Sequence, residues 1–225
     1  MADLAAELVR IPLFAGLDGD ELDSIARTAF VRHLARGQIL FSEGEPSDHL
    51  FLVRSGRLRV FLVSAHGEEL VLSVCGPGDT LGELSVLDRA PRSATVDAME
   101  RTELIAISGD DARAVLEKNL HALRAVAIEL AAGMRRLSGT AADLVFLDLP
   151  RRLAKLLLAE AVTGADGASE SHLAMSQSGV AARLGVTRQS LNRALSALAQ
   201  RNWITVEGAT VHLDDPAALS RFAQS

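Results

Sequence analysis

Two short stretches of this chain combine side chains that could hold a charged ligand. The first runs Gly82-Glu83-Leu84-Ser85 and resumes at Arg92-Ser93-Ala94, and we call these residues the cassette. A short helix that begins after Gly82 offers free N–H groups to an anion. The guanidinium of Arg92, next to the hydroxyl of Ser93, suits a phosphate. Glu83 can accept a hydrogen bond from a sugar hydroxyl. The pattern predicts a phosphate–ribose cradle; the simpler alternative is an ion pair of Glu83 with Arg92 that only closes a loop.

The second stretch lies near the C-terminus and carries residue types that read nucleic acid. Ser176 and Thr187 can each cap a short helix, with Gly185 as the turn between them, which is the spacing of a helix-turn-helix. Arginine pairs with guanine and glutamine with adenine, while hydroxyl and amide groups at helix starts suit phosphates. We therefore expect base contacts from Arg188, Gln189, Asn192 and Arg193, and phosphate contacts from Ser176, Gln177, Ser178 and Thr187.

Charge is divided unevenly along the chain, in a way that favours DNA binding by the C-terminal part. Residues 1–149 hold 15 Lys and Arg against 23 Asp and Glu, whereas residues 150–225 hold 8 against 6. The segment 176–203 has four arginines and no acidic residue. An acid-free basic stretch is what a surface needs to approach phosphates. Taken singly, Arg188 and Arg193 would be expected on a solvated helix face, and it is the acid-free stretch that favours DNA contact instead.

The elements that would position the cassette are short and β-rich. Helical spacing between Leu4 and Ala29 predicts short helices around a loop, and glycine-separated runs then follow up to residue 107. Such regularly spaced runs predict a sandwich or small closed barrel. The predicted strands are Gln38–Phe41, Leu50–Val53, Leu58–Val63, Leu70–Val74, Ala94–Ala98 and Glu103–Ile107.

A long helix is predicted from about Asp110 to Phe146. Five leucines recur every seventh residue, and an apolar residue follows each of the first four by four positions. This heptad predicts a parallel homodimer through residues 116–144, and the alternative is a helix packed only on its own barrel. The seam positions are Leu116, Leu120, Leu123, Ala127, Leu130, Met134, Leu137, Ala141 and Leu144.

The remaining elements complete a winged DNA-binding domain. Asp148 and Pro150 suit the start of a new helix, predicted over Leu149–Ala161, after a break that we expect to be a hinge. A flexible loop is expected over Thr163–Ser169. Behind the helix-turn-helix, Trp203–Val206 and Thr210–Leu213 flank a glycine turn and predict a hairpin, the wing.

Several protein classes are excluded by composition. Cys75 is the single cysteine, so one chain builds no disulfide, iron–sulfur cluster or cysteine-ligated zinc site, and no metal is expected at His49 or His66. The apolar runs are too short to cross a bilayer and the N-terminus is acidic, which indicates a cytoplasmic protein. The cassette has no nucleophile–base pair, so catalytic residues are not expected and an enzyme acting on nucleotides is a remote alternative.

Taken in order, these features resemble the CRP/FNR family of bacterial transcription regulators over nearly the whole chain. The resemblance implies an α+β protein with a cyclic-nucleotide-binding β-barrel of the jelly-roll type, a dimerisation helix with a hinge, and a winged helix-turn-helix. The corresponding domains are residues 1–109, 110–147 and 148–225. In the family, the residues matching Gly82, Glu83, Arg92 and Ser93 hold the cyclic phosphate and ribose of cAMP.

The resemblance also implies partners, and it shows two departures. The expected partners are cAMP as effector, with no other cofactor, a palindromic operator in double-stranded DNA, and RNA polymerase. The polar pair that reaches the adenine falls here on Leu137 and Ser138, and Gln189 stands where the family has glutamate. An effector such as cyclic-di-GMP, or DNA binding without any effector, remains an alternative.

Overall fold

The computed structural model of the chain describes residues 4, 7, 8, 14, 16–46, 48–163, 169–172, 177–208 and 210–224. The chain forms two compact units. One comprises Met1–Val63 with Leu72–Arg135, and the other comprises Ser64–Val71 with Arg136–Ser225.

Two four-stranded antiparallel sheets form the N-terminal fold. The first has the order β1 (Phe30–Leu34), β8 (Thr102–Ser108), β3 (His49–Ser55) and β6 (Thr80–Leu81). The second has the order β2 (Ile39–Phe41), β7 (Thr95–Ala98), β4 (Leu58–Val63) and β5 (Glu69–Cys75). The strand order departs from the sequence order in both sheets, which is the crossover pattern of a jelly roll. The predicted jelly-roll fold is confirmed, with two facing sheets in place of a closed barrel.

The space between the two sheets is filled by apolar side chains from both. Leu104 and Phe51 come from the first sheet, and Val96 and Leu58 from the second, and all four are buried. Side chains on a strand alternate between its faces, so each sheet presents every second residue to this core. The sequence prediction missed β1 and β6, the first of which has only Leu34 buried.

Three helices cover the outer face of the first sheet. Helix α1 (Gly19–Thr28) begins with a capping box, because Asp18 accepts from the Glu21 amide and Glu21 from the Asp18 amide. Helix α2 (Glu83–Asp88) follows Gly82, and α3 (Gly109–Lys118) is capped by Ser108. The buried residues of α1 and α3 share one apolar cluster with Leu50, Leu52, Ile105 and Ile107 of the sheet.

The long helix is interrupted, so the prediction of one helix from Asp110 to Phe146 is wrong at Asn119. Asn119 leaves helical geometry, and its side-chain oxygen accepts from the amides of His121 and Ala122. That side chain therefore caps a new helix, α4 (Leu120–Phe146). Leu116, before the break, is buried in the core of its own subunit and is no part of a seam.

The second unit contains the helices and strands of a winged helix-turn-helix. Helix α5 (Leu149–Ala159) is capped by Asp148, whose side chain accepts from the Arg151 amide at 3.0 Å. After it come α6 (Gln177–Arg183), α7 (Arg188–Ala199) and α8 (Pro216–Gln224). A third sheet has the order β11 (Ile204–Glu207), β12 (Thr210–Leu213), β10 (Ser169–His172) and β9 (Ala161–Thr163).

The predicted wing is confirmed as the hairpin of β11 and β12, and two neighbouring predictions need correction. The helix expected to reach Ala161 ends at Ala159, because Ala161 belongs to β9. A loop was expected over Thr163–Ser169, but Thr163 belongs to β9 and Ser169 to β10. Residues 164–168 lie outside the described part of the chain. Among the described residues, no helix is long and apolar enough to cross a membrane.

Candidate functional site

Arg92 is the buried centre of the cassette. Its residue is only 4% exposed, and its guanidinium lies 4.2 Å from the centre of the Phe41 ring and 5.6 Å from that of Phe51. Nη2 donates to the His49 carbonyl oxygen at 2.7 Å and Nη1 to the Gly82 carbonyl oxygen at 3.3 Å. The Nε atom is buried without a hydrogen-bond partner. The Nε atoms of Arg151 and Arg152 are buried without a partner as well, so an unpaired Nε is not peculiar to this site; here it leaves one donor for a ligand or a water to satisfy.

Gly82 is the residue that lets the cassette close around Arg92. Its φ of +85° lies in the left-handed region, which glycine adopts without steric cost. A Cβ built at this position would lie 2.1 Å from Nη1 of Arg92. The glycine that opens α2 is therefore required both by its backbone angle and by the guanidinium beside it.

Glu83 and Arg92 lie in one electrostatic environment without forming the ion pair that was the simpler alternative. Among the ion pairs of the described residues, none joins Glu83 to Arg92, so that alternative is wrong. Burial raises the pKa of the Glu83 carboxyl, and the nearby charge of Glu129 on α4 raises it further. Burial lowers the pKa of the Arg92 guanidinium, whereas Asp48, Glu83 and Glu45 oppose that change. The cassette holds a desolvated cation beside a carboxyl with restricted access to water.

The other cassette residues divide between scaffold and surface. Ser85 and Ala94 are buried, and the Ser85 hydroxyl donates to the Pro91 carbonyl oxygen at 3.4 Å. Leu84 and Ser93 are exposed. Ser93 can therefore reach a ligand, while Ser85 holds the loop.

Leu137 and Ser138 both lie on α4, and both are exposed. They belong to the second compact unit, whereas the cassette belongs to the first. Their part in contacting a base stays a prediction.

The helix-turn-helix has the predicted caps and turn. Gly185 adopts a φ of +64°, and the Thr187 hydroxyl oxygen accepts from the Ser190 amide at 3.2 Å to start α7. Leu191, Leu195 and Leu198 are buried against α5 and the wing. The opposite face of α7 exposes the four residues predicted to contact bases, Arg188, Gln189, Asn192 and Arg193. Ser176 lies outside the described residues, and Ser178 lies on α6.

Three of the four arginines in the acid-free segment have partners within the fold, and one of them is Arg188, which donates to Gln177. Arg183 donates to Glu160 at 2.6 Å. Arg201 lies 4.8 Å from the Trp203 ring centre and 4.9 Å from that of Phe222. Counting charge along the sequence therefore overstated the cations available to DNA, and Arg188 and Arg193 are the pair that α7 presents.

Sequence reasoning missed the aromatic rings around Arg92. Phe41 and Phe51 come from β2 and β3, and their rings lie 6.0 Å apart. Their inward position follows from strand alternation, yet nothing near them in sequence pointed to an arginine more than forty residues later. A cation over an aromatic face is stabilised when both are desolvated, so the rings hold the guanidinium in place.

The described residues include neither a reactive thiol nor a cluster of metal ligands. Burial raises the pKa of the Cys75 thiol to about 11, which keeps it protonated at neutral pH and a poor nucleophile. No group of three histidine, cysteine, aspartate or glutamate side chains there is arranged to hold a metal ion.

Comparisons with known proteins agree with both halves of the chain. Residues 31–119 match the cyclic nucleotide-binding domain, and residues 151–222 match the Crp-like helix-turn-helix domain. The chain is 30% identical over 220 residues to a CRP-like cAMP-activated global transcriptional regulator of Mycobacterium tuberculosis, covering 96% of this chain and 98% of that protein.

Solved structures show the same fold at lower identity. A transcriptional regulator of the CRP/FNR family from Eubacterium rectale matches with a TM-score of 0.77 and 20% identity, covering 96% of this chain and 99% of the other. The c-di-GMP responsive global regulator CLP of Xanthomonas campestris matches with a TM-score of 0.76 and 22% identity, covering 88% and 100%. Two domain models match this chain, and a relative is 30% identical over 96% of it. The chain therefore belongs to the CRP/FNR family of DNA-binding transcription regulators, which are not enzymes.

Proposed function

We propose that this regulator is a homodimer whose binding to a palindromic DNA site is controlled by cAMP held in the cassette. The observation that carries the effector site is the buried, desolvated guanidinium of Arg92 beside Gly82, whose Nε has no partner among the described residues. A cyclic phosphate would supply the missing acceptor and would meet a cation that is already desolvated. Ser93 would add a hydroxyl, and Glu83 would accept from the ribose. The cAMP-activated relative from Mycobacterium tuberculosis supports the same effector.

The dimer is supported by apolar side chains that α4 leaves exposed. Leu123 is 44% exposed, Met134 72%, Leu137 57% and Leu144 48%. They recur at the spacing of a coiled-coil seam, which begins after Asn119 and so is shorter than the sequence predicted. An exposed apolar stripe of this length marks a protein interface, and an identical helix presents a matching stripe.

DNA reading is supported by the exposed face of α7 and its capped start. In a two-fold dimer, the two copies of α7 would enter successive major grooves about 34 Å apart. We infer that the effector acts by favouring one arrangement of the helices on either side of the break at Leu147 and Asp148. Such control requires that the effector binds the two arrangements with different affinity. The regulator would work in the cytoplasm, where it would meet RNA polymerase at a promoter.

A cyclic dinucleotide is the second candidate effector. Leu137 is apolar where the family places a polar group for adenine, and a neighbour of the same fold responds to c-di-GMP. Phosphate recognition by Arg92 would serve either ligand, so the base is the point at which the two candidates differ.

The test is DNA binding by the purified full-length protein with and without effector. A binding site is first selected from a random DNA library in the presence of cAMP, and its affinity is then measured alone and with cAMP, cGMP or c-di-GMP. Calorimetry with each nucleotide runs in parallel. The proposal expects heat with cAMP and a tighter complex at a palindromic site. Tight operator binding without heat from any nucleotide would show constitutive binding, and a response to c-di-GMP alone would show the second effector.

A further inference from the structure

The first residues of the two helices of the helix-turn-helix contact each other. The Oε1 atom of Gln177, which begins α6, accepts from Nε of Arg188 at 3.3 Å and from Nη2 at 3.2 Å. Arg188 begins α7, and the two residues are separated by eleven positions. The phosphate contact predicted for Gln177 would use its Nε2 donors, so it stays a prediction beside this contact through Oε1.

The geometry of this contact leaves the base-reading end of Arg188 available. A guanidinium has five N–H donors in a fixed plane. One glutamine oxygen occupies the donors on the Nε–Nη2 edge, and three donors remain, including the pair at the Nη1–Nη2 end. That end is the fork that pairs with O6 and N7 of guanine in the major groove. Gln177 therefore holds one edge of the plane while the other faces outward.

We propose that Gln177 is a positioning residue that fixes the Arg188 guanidinium for guanine recognition. Arg188 is exposed, and a free arginine on a helix surface loses rotamer freedom when it binds. A contact already formed in the unbound protein removes part of that loss, and it favours the one orientation in which both fork donors face the base. The inference rests on the proposed sequence-specific DNA binding. It adds a residue that sets the preference for guanine over the other three bases at one operator position.

The test compares Gln177→Ala with Gln177→Glu, and uses Gln200→Ala as the matched control. Gln200 is an exposed glutamine at the far end of α7. For each full-length variant, binding is measured to the selected operator and to three operators changed at the base read by Arg188. That base is identified beforehand as the position at which Arg188→Ala loses its preference. Salt dependence and thermal unfolding are measured on the same samples.

Gln177→Ala is expected to lower the preference for guanine at that one position about threefold to tenfold, which is the size of ordering one long side chain. Other positions, the salt slope and the thermal midpoint stay unchanged. Gln177→Glu retains two acceptor oxygens, so it restores the preference even though its charge weakens binding to every sequence. Gln200→Ala keeps the preference of the wild type.

Two results would overturn the inference. A uniform loss of affinity with a smaller salt slope in Gln177→Ala would show a phosphate contact instead. An unchanged preference in Gln177→Ala, with a clear loss in Arg188→Ala, would show that Arg188 needs no positioning. Absence of any sequence preference in the wild type is a separate outcome, because it would contradict the proposed function itself.

Discussion

Lys155 of α5 forms an ion pair with Asp143 of α4, with Nζ 2.6 Å from Oδ2. Only Leu147 and Asp148 separate the two helices along the chain. The ion pair therefore spans the break at which we place the hinge, and it joins the end of the proposed dimer helix to the start of the DNA-binding fold.

Breaking this ion pair should change the response to effector more than the stability of either helix. Lys155→Gln is expected to alter the ratio of DNA affinities with and without cyclic nucleotide by up to about fivefold, since a partly exposed pair contributes at most about 1 kcal/mol. Lys118→Gln is the matched control, because Lys118 is exposed and is the only other lysine in the chain. Exchanging the charges, Asp143→Lys with Lys155→Asp, should return the ratio toward the wild type. Equal effects of both lysine variants would show that the pair has no role in the hinge.

Gly82→Ala should abolish nucleotide binding by displacing Arg92. The added Cβ meets Nη1 at 2.1 Å and also forces alanine into the left-handed region, which costs about 1–3 kcal/mol. Gly67→Ala separates the two effects, because Gly67 has a φ of +80° and nothing within 4 Å of its Cβ. Thermal unfolding should show a comparable backbone cost in both variants. Calorimetry with cAMP should show binding in Gly67→Ala alone.

Glu83→Gln should stabilise the ligand-free protein at neutral pH and weaken nucleotide binding. Because the folded pKa of Glu83 is raised, the neutral carboxyl is favoured at low pH, and stability is lost as the pH rises through that value. Glutamine removes this loss, so its thermal midpoint should fall less than that of the wild type as the pH rises through and above the ordinary pKa range of a glutamate carboxyl.

The ligand should show the opposite dependence in the wild type. A ribose hydroxyl donates to the ionised carboxylate, so cAMP affinity should rise with pH over the same range. Glu83→Gln loses a hydrogen bond to a charged group, about 1.5–3 kcal/mol, and its affinity should not depend on pH. A wild-type affinity that is flat with pH would place the ribose contact elsewhere.

Arg188→Ala should relax base selectivity at one operator position and cost about 1–3 kcal/mol. Arg201→Ala is the comparison, since Arg201 stacks on Trp203 and Phe222 and should affect stability with no change in base preference. Binding to specific and random DNA over a range of salt distinguishes the two roles. An equal loss on both kinds of DNA in Arg188→Ala would assign Arg188 to the phosphates.

Met134→Glu should dissociate the dimer, because Met134 occupies a seam position and is 72% exposed. Ile128 is 58% exposed, but the helical period places it away from the seam, so Ile128→Glu should leave the dimer intact. Leu116→Ala should act differently again and destabilise each subunit by about 2–5 kcal/mol, as expected for a buried leucine. Sedimentation and thermal unfolding of the three variants test these assignments, and a Met134→Glu dimer would rule out the seam.

Patterns with a strong local signal predicted their elements well. The caps at Asp148 and Thr187 and the turn at Gly185 each depend on neighbours within a few residues, and all three are present. The signal for α8 was also local, because Asp215 and Pro216 suit a helix start and the Asp215 side chain accepts from the Ala218 amide. That helix was not predicted.

Features that depend on tertiary contacts could not be predicted. The break at Asn119 is not one of them, because its capping bonds reach only His121 and Ala122; it was missed because the heptad continues through Asn119 in sequence. The cassette was evident from its residue types, whereas the rings of Phe41 and Phe51 reach Arg92 only after the two sheets have packed together. The contact of Gln177 with Arg188 likewise depends on the crossing of two helices.

The exposed stripe of α4 has a consequence for dosage in the cell. If two copies pair through this stripe as proposed, the regulator would occupy a palindromic operator in proportion to the square of its concentration, as long as monomers predominate. At a fixed effector concentration and far from saturation, a twofold change in synthesis would then give a fourfold change in occupancy. The strength with which Leu123, Leu137 and Leu144 pair in the proposed dimer would set the expression level above which occupancy no longer rises with the square of the concentration.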